Sequence, residues 1–535
     1  MGGKRAGWRR TLAFAATATA AMAILEPGAA RAAEGPAAGD IEALRAEVRE
    51  LTALVKTQAE RDQGEIQSLS SQVKALQNQL AHSRANPEGD RAAAASSVPA
   101  ALTTDAAIDR KAPPRVAESA SHRFSLQSGD GDYSIGFTGN VQFDTGAYVS
   151  FRPASQLAGP QALSNGVNAR RARIGVIGRA AGDWSYAFVY DAGNSSDQTA
   201  KGVETAQIAY SGLSGAVFEI GYSNTYFTLD QATGSTDTIF FERATPSDVA
   251  TNINTGDARS NAGARFFGDR YWAGAYLTGP ASGDSHTLTR ERFGAFQRVA
   301  LQVLQGPDYS VHLGLGLDEL LQAANAGNGT PGTLALNDQP ELRIDPTSLL
   351  NSGTLGTAAN PVDKAYVLDL ETAATYRNVF WQGEYYRYQV NRTGLLDARF
   401  SGGYGQIAWT LTGESHRYNP PTATYGRISP AHPFSLRDGG WGAWELAGRV
   451  SYVDLNSHFQ PGTVLSADPA AVDGGRQRGY TLGLNWYPND LVRLLLDYNH
   501  VAYDKANGGV VKGLALGDPV GAKLDAVSLR VQVSY

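Results

Sequence analysis

The last nine residues of the chain, VSLRVQVSY (527–535), alternate strictly between apolar and polar side chains and end on the aromatic ring of Tyr535. Val527, Leu529 and Val531 share one phase, and the polar residues between them share the other. Because successive side chains of a β-strand point to opposite faces, the pattern predicts a strand with one apolar face. Soluble cores and membrane barrels both use such strands, so the remaining sequence has to distinguish these two classes.

The composition favours a β-rich protein. The 535 residues include 60 Gly, 24 Tyr, 18 Phe and 8 Trp but only 2 Met and no Cys, and 42% are hydrophobic. The absence of Cys excludes disulfides and thiolate metal sites. The formal net charge of −6 is opposite in sign to the charge that nucleic-acid binding requires. We therefore expect no nucleic-acid partner. We also expect no cofactor and no metal.

The first 32 residues contain the three parts of a secretory signal peptide. KRAGWRR (4–10) is positively charged, TLAFAATATAAMAIL (11–25) is apolar, and residues 30–32 form a small-residue cleavage site. A membrane-spanning helix would need ~20 apolar residues, which is more than this stretch offers. We expect residues 1–32 to be a signal peptide that is removed on export.

Residues 33–81 have the spacing of a short coiled-coil helix. Apolar residues recur in steps of three and four on both sides of an eleven-residue stride, which is a four-residue insertion into the heptads. These residues are Ile41, Leu44, Val48, Leu51, Val55, Ile66, Leu69, Val73, Leu76 and Leu80. Their alternation of β-branched residues with Leu favours two helices per bundle. Residues 82–122 are rich in Ala, Ser, Pro and charge, which is typical of a disordered linker.

The sequence from 123 to 535 repeats the alternation of the last nine residues sixteen times. The segments lie near 133–143, 171–179, 184–190, 205–211, 216–223, 258–267, 271–279, 293–304, 309–318, 365–375, 379–389, 403–413, 444–454, 479–487, 491–501 and 524–535. Short and long connections alternate along the chain, as in an outer-membrane barrel with periplasmic turns and extracellular loops. One connection, 415–440, is long and Pro-rich although it falls at a turn position. We predict an all-β, sixteen-stranded antiparallel transmembrane β-barrel in the bacterial outer membrane.

The C-terminal strand closes this predicted barrel. An open strand edge would leave backbone groups unpaired in the hydrocarbon, so the last strand must pair on both sides. The terminal aromatic residue resembles the C-terminal signature by which the bacterial barrel-assembly machinery recognises its clients. We expect Tyr535 to serve in that recognition.

Several segments resemble one family of outer-membrane channels. They are NARRARIGVIG (168–178), GDWSYAFVYDAG (182–193), FFERA (240–244), WQGEYYRYQVNR (381–392), WTLTGESHRY (409–418), GAWELAGRVSYVDLN (442–456) and YTLGLNWYPNDLVRLLLDYNHV (480–501). The chain is similar in these segments to the phosphate-selective porin O and P family. This resemblance implies a homotrimeric, water-filled channel with loop 3 folded into the lumen. It implies passive diffusion of small anions such as phosphate past basic residues.

Seven arginines share the polar phase of their strands and are therefore expected to line the anion path. They are Arg171, Arg173, Arg259, Arg265, Arg449, Arg493 and Arg530. A guanidinium stays charged at any working pH and matches phosphate-type oxygens in geometry. Acidic residues on the same phase, among them Asp191, Glu219, Glu445 and Asp497, would offset part of this charge.

Loop 3 supplies further candidates for a constriction of the pore. These are Asn224, Tyr226, Asp230 and Arg243. Residues 224–257 contain no Lys, in contrast to the lysine that the family pattern places there.

Two other functions remain open at this stage. The barrel could be a general, weakly selective porin, or it could chiefly anchor the coiled coil and so tether the outer membrane to the cell wall. Catalysis would need a nucleophile with a positioned His, and none of the His residues lies in a recognisable catalytic frame. We expect outer-membrane lipid and small anions as partners and no enzymatic activity.

Overall fold

The computed structural model describes residues 113–118, 124–153, 162–193, 202–254, 256–281, 290–325, 333–508 and 515–535. The predicted signal peptide and coiled coil lie outside the described residues and stay predictions.

The described chain contains sixteen long strands that follow one another in sequence. They are β1 (Ser134–Pro153), β2 (Gly166–Ala180), β3 (Trp184–Asp191), β4 (Gly202–Leu213), β5 (Ala216–Asn224), β6 (Ala258–Phe267), β7 (Tyr271–Thr278), β8 (Phe293–Gln305), β9 (Tyr309–Gln322), β10 (Val362–Tyr376), β11 (Val379–Arg392), β12 (Ala398–Thr410), β13 (Ala443–Ser457), β14 (Val472–Tyr487), β15 (Val492–Asp504) and β16 (Ala522–Ser534). Each of the sixteen predicted segments corresponds to one of these strands.

The strands form a closed barrel. Every strand pairs antiparallel with its sequence neighbours, and β16 returns to pair with β1 from Ala522 opposite Pro153 to Ser534 opposite Asn140. Closure leaves no unpaired strand edge in the bilayer. The prediction of a sixteen-stranded antiparallel barrel is confirmed.

A short hairpin precedes the barrel and corrects the predicted linker boundary. Arg115–Glu118 pairs with Phe124–Gln127, which in turn pairs with the first residues of β1. The linker was expected to continue to residue 122 on composition alone. The start of β1 extends beyond the end of β16 and offers an edge, so this segment becomes ordered by pairing. The hydroxyl of Tyr535 accepts a hydrogen bond from the amide of Phe124 at 2.8 Å.

The outer surface of the barrel is apolar, as lipid requires. Large hydrophobic side chains on the outward phase are strongly exposed, and examples are Phe137, Val141, Ile174, Ile220 and Leu482. A soluble protein rarely exposes an apolar surface of this extent. Exposed aromatic residues collect at the strand ends next to the short turns, and they include Trp184, Tyr271, Tyr309, Tyr376, Trp381 and Trp409. Such a girdle marks one membrane interface of an outer-membrane barrel.

Three connections fold into the barrel. Loop 3 (225–257) carries two helices, α1 (Leu229–Ala232) and α2 (Thr245–Thr251), followed by a 3-10 turn, Asn252–Asn254. Loop 5 (323–361) contains a hairpin of Leu334–Asp338 with Leu350–Leu355, and the long turn (411–442) contains Tyr418–Asn419 paired with Thr424–Tyr425. A further 3-10 turn, Leu465–Ala467, lies between β13 and β14. Among the described residues, each helix is too short to cross a membrane.

Candidate functional site within the lumen

Loop 3 is held across the lumen by arginines of the opposite wall. Three strands contribute one arginine each, and every one donates hydrogen bonds to main-chain carbonyls of loop 3. The donors are Arg449 to Glu242, Arg493 to Thr238 and Ile239, and Arg530 to Phe241. Each guanidinium also lies over an aromatic ring, namely those of Phe240, Tyr487 and Phe241 respectively. Charge-assisted bonds to otherwise unpaired carbonyls fix the path of the loop.

Arg530 has a second role at the seam of the barrel. Its guanidinium forms a forked pair with Asp144 of β1, at 2.6 and 2.7 Å, and a further bond to Glu242 of loop 3 at 2.9 Å. All three groups are almost fully buried. A buried charge pair is strongly disfavoured once one partner is missing, so the three residues depend on one another.

Three arginines of β2 lie on the inner face, one of them through a β-bulge. The pairing between β1 and β2 shifts next to Gln142, so that Arg170 and Arg171 both point inward although they are adjacent in sequence. Arg170 forms a forked pair with Glu242 at 2.8 and 2.9 Å, and Arg171 donates to the Gln142 side chain at 2.7 Å. Arg173 pairs with Asp191 and with Glu204.

The arginines of β6 are enclosed in ion pairs. Arg259 forms a forked pair with Asp318, at 3.0 and 2.9 Å, and neither side chain is exposed. Arg265 bonds to Glu219 at 2.7 Å. These two groups therefore present little unpaired charge to a passing ion, and their proposed role in the anion path stays a prediction.

The four candidates of loop 3 differ in position. Asn224 ends β5 and donates to Glu204 over a long 3.5 Å, while Tyr226 lies under the guanidinium of Arg265. Asp230 is buried in α1. Arg243 bends the loop on itself, because it donates to the carbonyls of Asp230 and Thr233 at 3.1 and 3.0 Å.

Loops 3 and 5 enclose a polar cavity of about 200 Å³ next to the β2 bulge. Its charged lining consists of Arg170, Arg171, Arg243, Arg343, Glu242, Asp248, Asp257 and Asp338. Arg343 of loop 5 pairs with both Asp248 and Asp338, so two carboxyl groups share one guanidinium. The cavity therefore combines four guanidinium groups with four carboxyl groups inside the lumen.

Three of the arginines in the lumen were missed by sequence reasoning. Arg298 of β8 pairs with Glu371, and it lies on the same phase as Gln302, opposite the apolar phase of Val299 and Leu301. The criterion that selected the other arginines would have found it. Arg170 faces inward only because of the bulge, and Arg343 lies in a loop without periodicity, so neither carried a usable signal.

The long turn (411–442) contains the Pro-rich connection 415–440, which did not fit the alternation of short and long loops. It folds back inside the barrel from the rim of the short turns, where Arg298 donates to the carbonyls of Thr422 and Ala423, both at 2.9 Å. Trp272 donates to the carbonyl of Pro421 at 3.0 Å, and His416 shares a 2.6 Å hydrogen bond with Glu445. The turn thus occupies part of the lumen, where Tyr425 joins Ile239 and Phe240 of loop 3 in one buried cluster.

A closed barrel with an apolar outer surface, a charged interior and an infolded loop 3 defines the class of outer-membrane porins. The chain belongs to the phosphate-selective porin O and P family, whose sequence profile matches residues 136–535. The predicted family and the bacterial outer-membrane location are confirmed.

Two relatives cover most of the chain at low identity. An uncharacterized protein of Caulobacter vibrioides is 26% identical over 458 residues, which are 83% of this chain and 84% of the relative. Porin O of Pseudomonas aeruginosa is 24% identical over 400 residues, which are 70% of this chain and 84% of the relative.

Solved structures of other outer-membrane proteins resemble the chain more distantly. The trimer form of OmpT of Vibrio cholerae is 11% identical with a TM-score of 0.45, and the match covers 75% of this chain and 99% of that one. An anion-selective porin from Comamonas acidovorans is 12% identical with a TM-score of 0.42, covering 75% of this chain and 100% of that one.

Replacing Arg493 with Met should loosen loop 3. The change removes the donor to the carbonyl of Thr238 and one of the two donors to that of Ile239, which the Asn485 amide also serves. An unpaired buried carbonyl costs about 1–3 kcal/mol. We expect noisier single-channel currents in planar bilayers and faster proteolysis within residues 225–257. Arg387 points outward from β11, so Arg387→Gln serves as the matched control and should behave as the wild type. Unchanged current noise in Arg493→Met would contradict the tether.

Replacing residues 415–440 with a two-residue turn should widen the lumen at the rim of the short turns. The segment fills space between the inner faces of β7, β8 and β13, and its removal lets water and ions occupy that space. Single-channel conductance should increase, provided that circular dichroism and heat-modifiable gel migration show an intact barrel. An intact variant with unchanged conductance would mean that the long turn lies beside the ion path.

Proposed function

We propose that the protein is a channel for passive diffusion of small anions, phosphate among them. The observation that carries this proposal is the polar cavity between loops 3 and 5. Four guanidinium groups surround a space of about 200 Å³ there, and the amides of Asn252, Asn337 and Gln339 line it as well. Rings of arginine lower the entry cost for anions in a pore.

The carboxyl groups of the cavity do not cancel the four guanidinium charges completely. Burial raises the pKa of Asp338 well above its ordinary value, which disfavours the charged form of this group. Burial alone would also raise the pKa of Glu242, but the charges of Arg170, Arg530 and Arg171 hold that pKa well below the ordinary value. The positive excess in the cavity is therefore small and local.

Phosphate fits the donors of the cavity better than chloride does. Guanidinium forks match pairs of phosphate oxygens, whereas chloride offers a single acceptor point. Loop 3 lacks lysine, so arginine would have to supply the contacts. We propose that phosphate permeates and competes weakly with chloride.

A general, weakly selective porin is the second candidate. The pairing of Arg173, Arg259 and Arg265 with carboxylates favours it, because paired charges cancel at the distance of a passing ion. Tethering by the coiled coil would be an additional role of residues outside the described part of the chain. Porins are channels, and we propose no catalytic activity.

Replacing Arg171 with Gln should weaken anion selectivity without leaving a carboxylate unpaired. Its described partner is the side-chain oxygen of Gln142. One charge beside an ion is worth about 1 kcal/mol in water, so the anion-to-cation permeability ratio should fall roughly two- to fivefold. The reversal potential of the pore under a KCl gradient measures this ratio. Phosphate should also block chloride current less strongly in this variant.

The outward-facing Arg387→Gln variant again provides the matched control. It removes the same charge from the lipid side of the barrel and should leave the reversal potential unchanged. A wild-type pore that prefers cations would refute the anion proposal, and equal ratios for wild type and Arg171→Gln would favour the weakly selective porin.

We also propose a homotrimer that is assembled through the barrel, with Tyr535 recognised by the barrel-assembly machinery. Membership of the porin O and P family supports the trimer. The paired ladders of the barrel lie within residues 134–534, so its walls need no contribution from the N-terminal segment.

Deleting residues 33–112 should therefore leave a trimeric barrel. The deletion removes the predicted coiled coil but retains the hairpin on β1. Heat-modifiable migration should report the intact barrel, and light scattering in detergent should report three chains. Monomeric barrels after deletion would assign trimer formation to the N-terminal segment.

A further inference from the structure

Three carboxylates meet on the inner wall of β10 and β11. They belong to Asp369, Glu371 and Glu384, and one oxygen of each lies within 4.8 Å of the others. Glu371 and Glu384 are directly opposite in the strand register. Like charges in this position destabilise a sheet, and burial of all three groups prevents water from screening them.

The two glutamates are supplied with donors. Glu371 accepts from Arg298 and is bonded to His312. Glu384 accepts from the hydroxyls of Tyr386 and Tyr404 and from the amide of Asp230 in loop 3. Bonds of this kind favour the charged form of a carboxylate. Both glutamates are therefore satisfied by donors of the protein.

Asp369 is different, because neither of its oxygens has a hydrogen-bond donor within the described part of the chain. Its side chain is 0% exposed, and it points into the cluster, since its oxygen is one of the three that converge. A bare, fully buried carboxylate between two donor-supplied glutamates lacks a positive partner.

The neighbouring strand leaves room for these side chains. Gly314 and Gly316 of β9 lie opposite Glu371 and Asp369. A Cβ at Gly314 would lie 2.0 Å from the Oε1 atom of Glu371, so a larger residue would force this carboxylate to move.

We propose that Asp369, Glu371 and Glu384 bind one Ca²⁺ ion on the pore wall. Calcium takes carboxylate oxygens at about 2.3–2.6 Å, so two of its ligands can be up to about 5.2 Å apart. The three oxygens all lie within 4.8 Å of one another and so meet this limit. Magnesium demands about 2.0–2.1 Å and near-octahedral geometry and usually keeps several waters, so it suits a fully buried set of carboxylates less well.

A bound Ca²⁺ ion would change the electrostatics of the lumen. The ion adds two positive charges beside the carboxylates of this wall. Loop 3 feels the change as well, because Glu384 accepts from the amide of Asp230. Anion preference should therefore increase with Ca²⁺. The binding itself can be measured in detergent and does not depend on which ions the pore conducts.

The test is titration of the mature chain with CaCl₂ by calorimetry. The protein is refolded from inclusion bodies and treated with EDTA, so that no lipopolysaccharide competes for the ion. Wild type should bind one Ca²⁺ per chain, and Asp369→Asn should bind it about tenfold more weakly or worse. Asp497→Asn changes a buried lumen-facing aspartate of β15 and is the matched control, which should bind as the wild type.

Two results would overturn the site: no saturable Ca²⁺ binding by the wild type, or equal binding by Asp369→Asn. If Asp369→Asn does not fold, Glu384→Gln takes its place. The absence of saturable Ca²⁺ binding by the wild type would still overturn the site. The temperature at which the wild-type barrel unfolds in heat-modification gels should rise with CaCl₂ and should rise less with MgCl₂. A temperature that does not respond to Ca²⁺ would be a third result against the site.

Discussion

Most main-chain carbonyls of a loop that enters a barrel have no strand to pair with, and this constraint organises the lumen. An unpaired buried carbonyl costs about as much as a lost hydrogen bond, so a loop that enters the barrel needs donors from the wall. Arg449, Arg493 and Arg530 supply them to loop 3, and Arg298 supplies them to the long turn. Arginine suits this task because its planar fork serves two acceptors and keeps its charge.

The same arginines therefore have to serve two needs that conflict. A guanidinium that anchors a loop or neutralises a carboxylate attracts a passing anion less strongly than a free one. The wall of β6 is largely neutralised, whereas the bulge of β2 brings Arg170 and Arg171 together beside loop 5. Selectivity in this barrel is accordingly expected from one small cavity and not from the summed charge of the strands.

The fold was predictable from the sequence because alternation reports which side of a strand faces lipid. The signal lies in the order of apolar and polar residues within each strand, and all sixteen strands carry it. The site was less predictable, because the role of an inward arginine depends on what lies across the lumen. Nothing in the sequence near Arg259 indicates Asp318, and nothing near Arg449 indicates loop 3. The bulge at Arg170 and the infolded long turn likewise depend on register and on tertiary contacts, which leave no periodic trace.

The hydrogen bond between Phe124 and the terminal Tyr535 joins residues that are 411 positions apart in sequence. Loop-closure entropy has to be overcome before such contacts contribute, so the seam is among the last parts of the barrel to form. Translation and export of the whole chain must precede closure. Until then, β1 and β16 each present a bare edge to the periplasm. A bulky group attached next to Tyr535 would therefore disturb this junction.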